Sequence, residues 1–468
     1  VVAAWARGGY CRTYVRMHSL GGLVNASEVL GFVARLRTSE FDDDAAAGID
    51  LVSALEDLKS AGSAHQATVT DAVANSIAAE RKAKGRPKAE WRKGVASQIG
   101  LARRESPNKG GRLLGLARAL VHEMPHTHAR LRSGELNEWR ATLIARETAC
   151  LTAEDRRSID EQLCSDSATL KNLGDSAIER RARALAAELD PASVARRKAR
   201  AFEQRRASTR PHPDFMCEFK VMTSMDRGVS MWATLRRDAD SLVGVGDERR
   251  TRDQIMADLA FERITGTARA ASGAAVSVNL VISDETLFGH DSKPAHLSGY
   301  GEIPASIARK LVADAAASPV RTELRKLYAE PLSGALNAME SKARSFPAAL
   351  ATLIDVRDRT CRTPWCDAPI RHRDHIRSHA HGGATSAHNG AGLCAACNYA
   401  KEADGWTSTP KRQEPRAIHV YDFETPTGHR YSSQAPPMPV ARRYCSFVEH
   451  EFAEEYAAKL LATSHRAA

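Results

Sequence analysis

Between Cys361 and Trp406 the chain reads CRTPWCDAPIRHRDHIRSHAHGGATSAHNGAGLCAACNYAKEADGW, which holds four of the nine cysteines and five of the seventeen histidines. Cys361 and Cys366 are separated by four residues, Cys394 and Cys397 by two. Thiolates are soft ligands, and two such pairs suit two knuckles that close on one tetrahedral zinc ion. The competing arrangement is four buried free thiols. Paired knuckles at both ends of a short Gly-rich segment weigh against it.

A second set of polar residues overlaps the first: Asp374-His375, Asn389, Asn398 directly after the last cysteine, and Lys401. Phosphodiester hydrolysis needs an activated water and a neutraliser for charge on the leaving oxygen. A histidine of near-neutral pKa can take the proton from water. A divalent cation held by few protein oxygens can accept a phosphate oxygen and the leaving group. Successive residues of a regular strand point to opposite faces, so Asp374 and His375 can serve one phosphate only where the strand ends or bulges. Gly382-Gly383 permits a sharp turn soon after. The competing arrangement is a zinc-stapled hairpin whose Asp and His bond only to backbone.

This set resembles the HNH nuclease motif, a ββα-metal fold. The resemblance implies His375 as general base, Asp374 as a metal ligand, Asn389 as the residue that pins the loop between two strands, and Asn398 as the metal ligand on the helix. The family more often has His where this chain has Asn398. An amide oxygen is a hard ligand, so Asn398 with Asp374 favours Mg²⁺ or Mn²⁺ over zinc at this second site.

The elements that position these residues belong to a chain of 468 residues, long enough for two or three domains, with an ordinary hydrophobic fraction of 43%. The formal charge of +10 and pI of about 9.2 favour a polyanionic partner. Cys11, Cys150, Cys164, Cys217 and Cys445 are scattered and form no disulfide framework, which fits a reducing cytoplasm. No segment reads as a membrane span, and the start has basic residues but no continuous apolar core of a signal peptide.

Residues 1–25 read as a disordered leader. Apolar spacings of three and four predict amphipathic helices from Ala26, in a helical basic domain over 26–270. Two basic runs mark it. Arg81–Arg112 carries eleven Lys or Arg against Glu90 and Glu105, and Glu179–Arg210 carries ten against four acids and reads as helical. Phosphate contacts are expected from Arg81, Lys82, Arg86, Arg92, Lys93, Arg196, Arg197 and, in the Cys-rich stretch, Lys401; a solvated helix face is the alternative. His122, His126 and His128 lie close together, but a His group beside Pro125 reads as structural. Residues 271–346 read as a mixed α/β connection, with a strand over 276–283, a helix over 304–316 and two strands around a turn at 331–334. A helix over 347–359 delivers the chain to Cys361. The segment 347–410 is then the HNH module, and 411–468 an extended Pro-rich tail with a terminal helix over 445–462. The fold class is α+β, mostly α: a large helical N-terminal domain plus a C-terminal zinc-stapled ββα-metal (His-Me finger) module.

CRTPWCDAPIRHRDHI, GLCAACNYAKEADGW and TPTGHRYSSQAPP resemble actinobacterial HNH endonuclease-signature proteins of the 13E12 repeat family. ALVHEMPHTHARLRSGEL, ELDPASVARRKARAFEQRR and DERRTRDQIMADLAFERITG are similar to the N-terminal helical domain of unknown function (number 222) that such proteins carry. The likeness covers roughly residues 110–440. It implies a metal-dependent DNA endonuclease, with structural Zn²⁺ and catalytic Mg²⁺ or Mn²⁺; RNA is the other polyanion the same chemistry would accept. The alternatives are a non-catalytic zinc-containing DNA-binding protein, such as a decayed mobile-element product, and a protein-interaction scaffold in which the helical domain is the working part.

Overall fold

The computed structural model describes residues 24–40, 44–212, 216–266, 280–317, 340–341, 345–411 and 417–438. The leader expected over 1–25 therefore lies almost wholly outside the described residues. So do Cys11, Cys445, the turn at 331–334, the helix at 445–462 and the first half of the strand at 276–283.

Helices dominate the first half: α1 (Ala26–Thr38), α2 (Ala45–Ala83), α3 (Val95–Ala102), α4 (Pro107–His122), α5 (Pro125–Ser133), α6 (Glu138–Glu147), α7 (Ala153–Cys164), α8 (Asp175–Leu189) and α9 (Pro191–Glu203). Their ends follow local chemistry. Asn137 and Thr152 cap α6 and α7 by accepting from the backbone N–H groups of Arg140 and Asp155. Gly134, at φ 88°, closes α5 in the left-handed region that glycine tolerates. The start of α5 is capped from another helix. Asp160 of α7, fully buried, accepts from the N–H groups of His126 at 2.7 Å and Thr127 at 2.8 Å. A carboxylate there satisfies orphan donors and complements the helix dipole.

Two compact units are present, Val1–Lys59 and Ser60–Ala468. In the first, α1 begins in a capping box between Asn25 and Glu28 and has no buried residue. In the second, Leu120, Met124, Leu131, Ile144, Ile159, Leu163 and Ile178 form the main core, each fully buried.

The middle of the chain contains β1 (Arg206–Pro211), β2 (Cys217–Met222), α10 (Met225–Asp240), α11 (Arg252–Thr265), β3 (Leu280–Val281), α12 (Asp284–Leu287), β4 (Ala295–Leu297), β5 (Gly301–Ile303), α13 (Ala305–Ala317) and β6 (Glu340–Ser341). The helix expected over all of 179–210 ends at Glu203, because Arg206–Pro211 pairs antiparallel with β2 instead.

The last part comprises α14 (Ala348–Asp358), β7 (His372–His375), β8 (Thr385–Ser386), β9 (Gly390–Leu393), α15 (Ala395–Lys401), β10 (Thr407–Pro410), β11 (Val420–Glu424) and β12 (Arg430–Gln434). β7 and β9 pair antiparallel, with His375 opposite Gly390 and His372 opposite Leu393, and α15 follows β9. Residues 417–438, expected as an extended tail, form β11 and β12 in a sheet of order β10-β11-β12. Tyr421 and Phe423 alternate inward along β11 and join Ile376, Ala391 and Leu101 of α3 in one core. The Cys-rich stretch is thus packed on the helical region and on the sheet beyond residue 410. Trp406 lies against this core and over Gly94, where a Cβ would come within 2.9 Å of the indole Nε1.

Candidate metal centre and active site

Cys361 and Cys366 lie on the loop after α14; Cys394 caps α15 and Cys397 sits in its first turn. All four are buried, and their sulfurs lie within 4.8 Å of one another. The Cys366–Cys394 and Cys366–Cys397 sulfurs are 3.7 Å apart. A regular tetrahedron with metal–sulfur bonds of about 2.3 Å has edges of roughly 3.8 Å. The group can therefore hold a structural metal ion such as zinc. Hydrogen bonding within the group splits the four thiols: Cys361, bonded to Cys366, comes down to about 7 and Cys394 is lowered as well, whereas Cys366 and Cys397 are raised. Cys164, a lone thiol, is pushed by burial up to about 11. Among the described residues this is the one group of three or more His, Cys, Asp or Glu side chains that could hold a metal.

β7 ends at His375, which lets neighbouring side chains serve one place. His375 is buried, and its Nε2 lies 2.9 Å from Thr385 Oγ1 on β8. Its ring packs 4.7 Å from that of Phe346 and 5.5 Å from that of His379. Nδ1 lies 3.8 Å from Asp374 Oδ1, which also accepts the His375 backbone N–H at 2.8 Å.

Asn389 cross-links the segment between β7 and β9. Its Oδ1 accepts from Arg377 N at 2.8 Å, and its Nδ2 donates to the carbonyls of Arg377 at 3.0 Å and Ala384 at 2.8 Å. The turn depends on Gly383, where a Cβ would stand 1.9 Å from the Arg377 carbonyl oxygen. The preceding Gly382 is at φ 77°.

On α15, Asn398 Oδ1 is buried and has no hydrogen-bond partner. Lys401, one turn later on the same face, puts its Nζ 2.8 Å from Asp374 Oδ2 and 2.7 Å from the His375 carbonyl oxygen. The helix and the end of β7 thus meet at Asp374.

Several residues that hold this site carry no local sequence signal. Asp358 is buried and accepts from Arg357 Nε at 2.7 Å, Arg362 Nη1 at 2.8 Å and Gly392 N at 2.7 Å. Burial pushes its carboxyl up, but the two guanidiniums overcome this and hold it below the usual carboxylate range. Arg362 reaches on to the carbonyls of His419 and Ser433, tying β12 and the residue before β11 to the cysteine loop. Burial, with Arg357 nearby, brings His419 down to about 3. The neutral ring receives a hydrogen bond from Arg362 at Nδ1 and donates from Nε2 to the His388 carbonyl beside Asn389. The alternation around Tyr421 and Phe423, followed by Thr425-Pro426-Thr427-Gly428, is the signal from which β11 and β12 could have been read.

The basic candidates are less open than a charge run implies. Arg81 is buried and donates to the carbonyls of Glu90, Lys93 and Asp404. Arg86 pairs with Asp404 at 3.0 Å, and Lys93 Nζ lies 3.5 Å from the Glu402 carbonyl. Arg92 donates to Asn75, Arg196 pairs with Asp190 at 3.7 Å, and Arg197 donates to the Glu147 carbonyl. Lys82 is exposed, its ammonium 5.7 Å from the Trp91 ring centroid. His122 pairs with Asp71 at 2.8 Å, and His128 Nε2 meets the Ala64 carbonyl at 3.1 Å.

No helix among the described residues is long and apolar enough to cross a membrane. Comparison with curated proteins and with solved structures gave no match. A family profile does match: the domain of unknown function DUF222, over residues 58–358. The match takes in the α/β region expected to be only a connection and stops three residues before Cys361. Covering well over half the chain, it shows that this protein belongs to the DUF222 family.

Proposed function

We propose that the chain is an HNH-type endonuclease that hydrolyses phosphodiester bonds in DNA, stapled by zinc in the four-cysteine group, and that it works in the cytoplasm. The observation that carries this reading is the meeting of Asp374, His375 and α15 at the end of one antiparallel strand pair, with Asn389 cross-linking the segment between the strands.

The tautomer of His375 that donates Nε2–H to Thr385 leaves Nδ1 as the basic nitrogen, and this atom takes the proton from water. Asp374 lies on the Nδ1 side and stabilises the imidazolium that results. The unpartnered Asn398 oxygen and the Asp374 carboxylate are hard donors that fit Mg²⁺ or Mn²⁺. When bound, such an ion supplies Lewis-acid neutralisation of charge on the phosphate and leaving oxygen. Lys82, Lys88, Arg104 and Arg112 are exposed in the first basic run and are the cations offered to the DNA backbone.

A second reading, a zinc-stapled DNA-binding protein without turnover, is favoured by the ammonium already seated on Asp374. Supercoiled plasmid incubated with the zinc-loaded protein and Mg²⁺ or Mn²⁺ separates the two. Nicked circles are expected. A gel shift without nicking would replace the first reading by the second.

A further inference from the structure

Lys401 is partly buried beside the carboxylate that the proposed catalytic ion would need, its side chain 13% exposed. Its ammonium has three donors and three oxygen partners: Asp374 Oδ2 at 2.8 Å, the His375 carbonyl at 2.7 Å and Glu402 Oε1 at 3.0 Å. These are the hard oxygens a divalent cation prefers. Asn398, on the same face one turn earlier, offers an amide oxygen that is buried and unpartnered. The place around Asp374 therefore has three hard oxygens and already contains a cation.

We propose that Lys401 is a tethered competitor at this site: its ammonium and a divalent ion exclude each other at Asp374, and Lys401 sets how weakly the ion binds. The inference rests on the nuclease reading only for the identity of the site as a metal site. Two cations cannot share Asp374 Oδ2 at ordinary contact distances without strong repulsion. An ion that must first displace a bound group has its apparent affinity reduced by the fraction of sites the group holds. The displaced ammonium has somewhere to go. Lys401 also lines an open groove of about 520 Å³, together with Arg377, Glu402 and Trp406. Along that groove the flexible stem can carry the charge into water. Lys401, which the charge pattern offers as a phosphate contact, thereby becomes the residue that decides whether the metal enters.

The test is Mn²⁺ binding to the full-length, zinc-loaded protein, read from the electron paramagnetic resonance signal of free Mn²⁺. Lys401→Met is expected to bind Mn²⁺ about tenfold more tightly or better. Lys401→Gln, one atom shorter, keeps an uncharged N–H donor and should give the same direction. Zinc content and circular dichroism verify the fold of each. Adding Asp374→Asn to either variant should remove the gain, which locates it at this site. Unchanged or weaker Mn²⁺ binding in a folded Lys401 variant overturns the proposal, as does a gain that survives Asp374→Asn. Cleavage is not read. A protein that binds Mn²⁺ as expected and never nicks DNA would uphold this inference and refute the nuclease reading.

Discussion

Asp358→Ala should be among the most damaging single changes near the cysteine loop. The side chain is fully buried between Arg357 and Arg362, whose own side chains are 5% and 3% exposed. Removing it leaves two buried guanidiniums without a counter-charge and the Gly392 N–H without its acceptor. Breaking a buried pair by deleting one partner costs about 3–5 kcal/mol, and an orphaned buried donor about 1–3 kcal/mol. The two overlap and do not add, so the expected loss is about 3 kcal/mol or more. That is a large share of the roughly 5–15 kcal/mol by which a domain is stable. Guanidinium unfolding of the zinc-loaded chain, followed by zinc release, measures it, because Gly392 lies two residues before Cys394. Adding Arg362→Met should recover part of the loss, since one of the stranded charges is then gone. A cost below about 1 kcal/mol, or full additivity of the two changes, would refute the argument that this network is held by its central carboxylate.

Four other outcomes follow from the same geometry. Cys394→Ser removes a ligand and the cap of α15 together, so the purified variant should contain no zinc and lose the circular dichroism of the folded segment. His419 is held neutral with its pKa near 3, whereas the unfolded chain takes up a proton near 6.5. The unfolded state then binds more protons between those values, so stability should fall as pH drops below about 6.5, by about 1.4 kcal/mol per unit. Thermal melts from pH 7.5 to 5 should show the fall, and His419→Gln should flatten it. Arg81→Ala should destabilise the protein by about 2 kcal/mol or more, as three carbonyls lose the buried charged donor they share. Lys82→Glu should leave stability unchanged while weakening DNA binding and its salt dependence, read by fluorescence anisotropy across salt concentrations.

What could be read from the sequence was local. The cysteine spacings place four sulfurs together because both pairs close tight turns, and strand geometry required an end or a bulge at His375 if it and Asp374 were to serve one phosphate. The Gly382-Gly383 turn was legible from residue type, whereas the place of Asn389 came only from the resemblance to the HNH motif. The fate of Arg81 was not legible. Its acceptors are carbonyls 9, 12 and 323 residues away, so nothing in a basic run marks which member turns inward. The role of Lys401 was equally hidden, because helical spacing puts it on the Asn398 face but does not show the Asp374 carboxylate opposite. Asp358 and Arg362 are only four residues apart, but their bonds to Gly392 and His419 need separated segments to meet, which only the packing of α14, β9 and β11 brings about. The final sheet was missed for another reason: the prolines around residues 410–437 masked a strand alternation that was present at Tyr421 and Phe423.

The central claim is that His375 activates water at a phosphodiester. Single-turnover cleavage of a labelled duplex by zinc-loaded wild-type and His375→Ala proteins, with saturating Mn²⁺, tests it most directly. General-base catalysis contributes roughly 10²–10⁴-fold in rate. The account predicts a loss of that size with zinc content, circular dichroism and duplex affinity unchanged, because His375 lies outside the cysteine group. A folded His375→Ala protein that cleaves at the wild-type rate would contradict it.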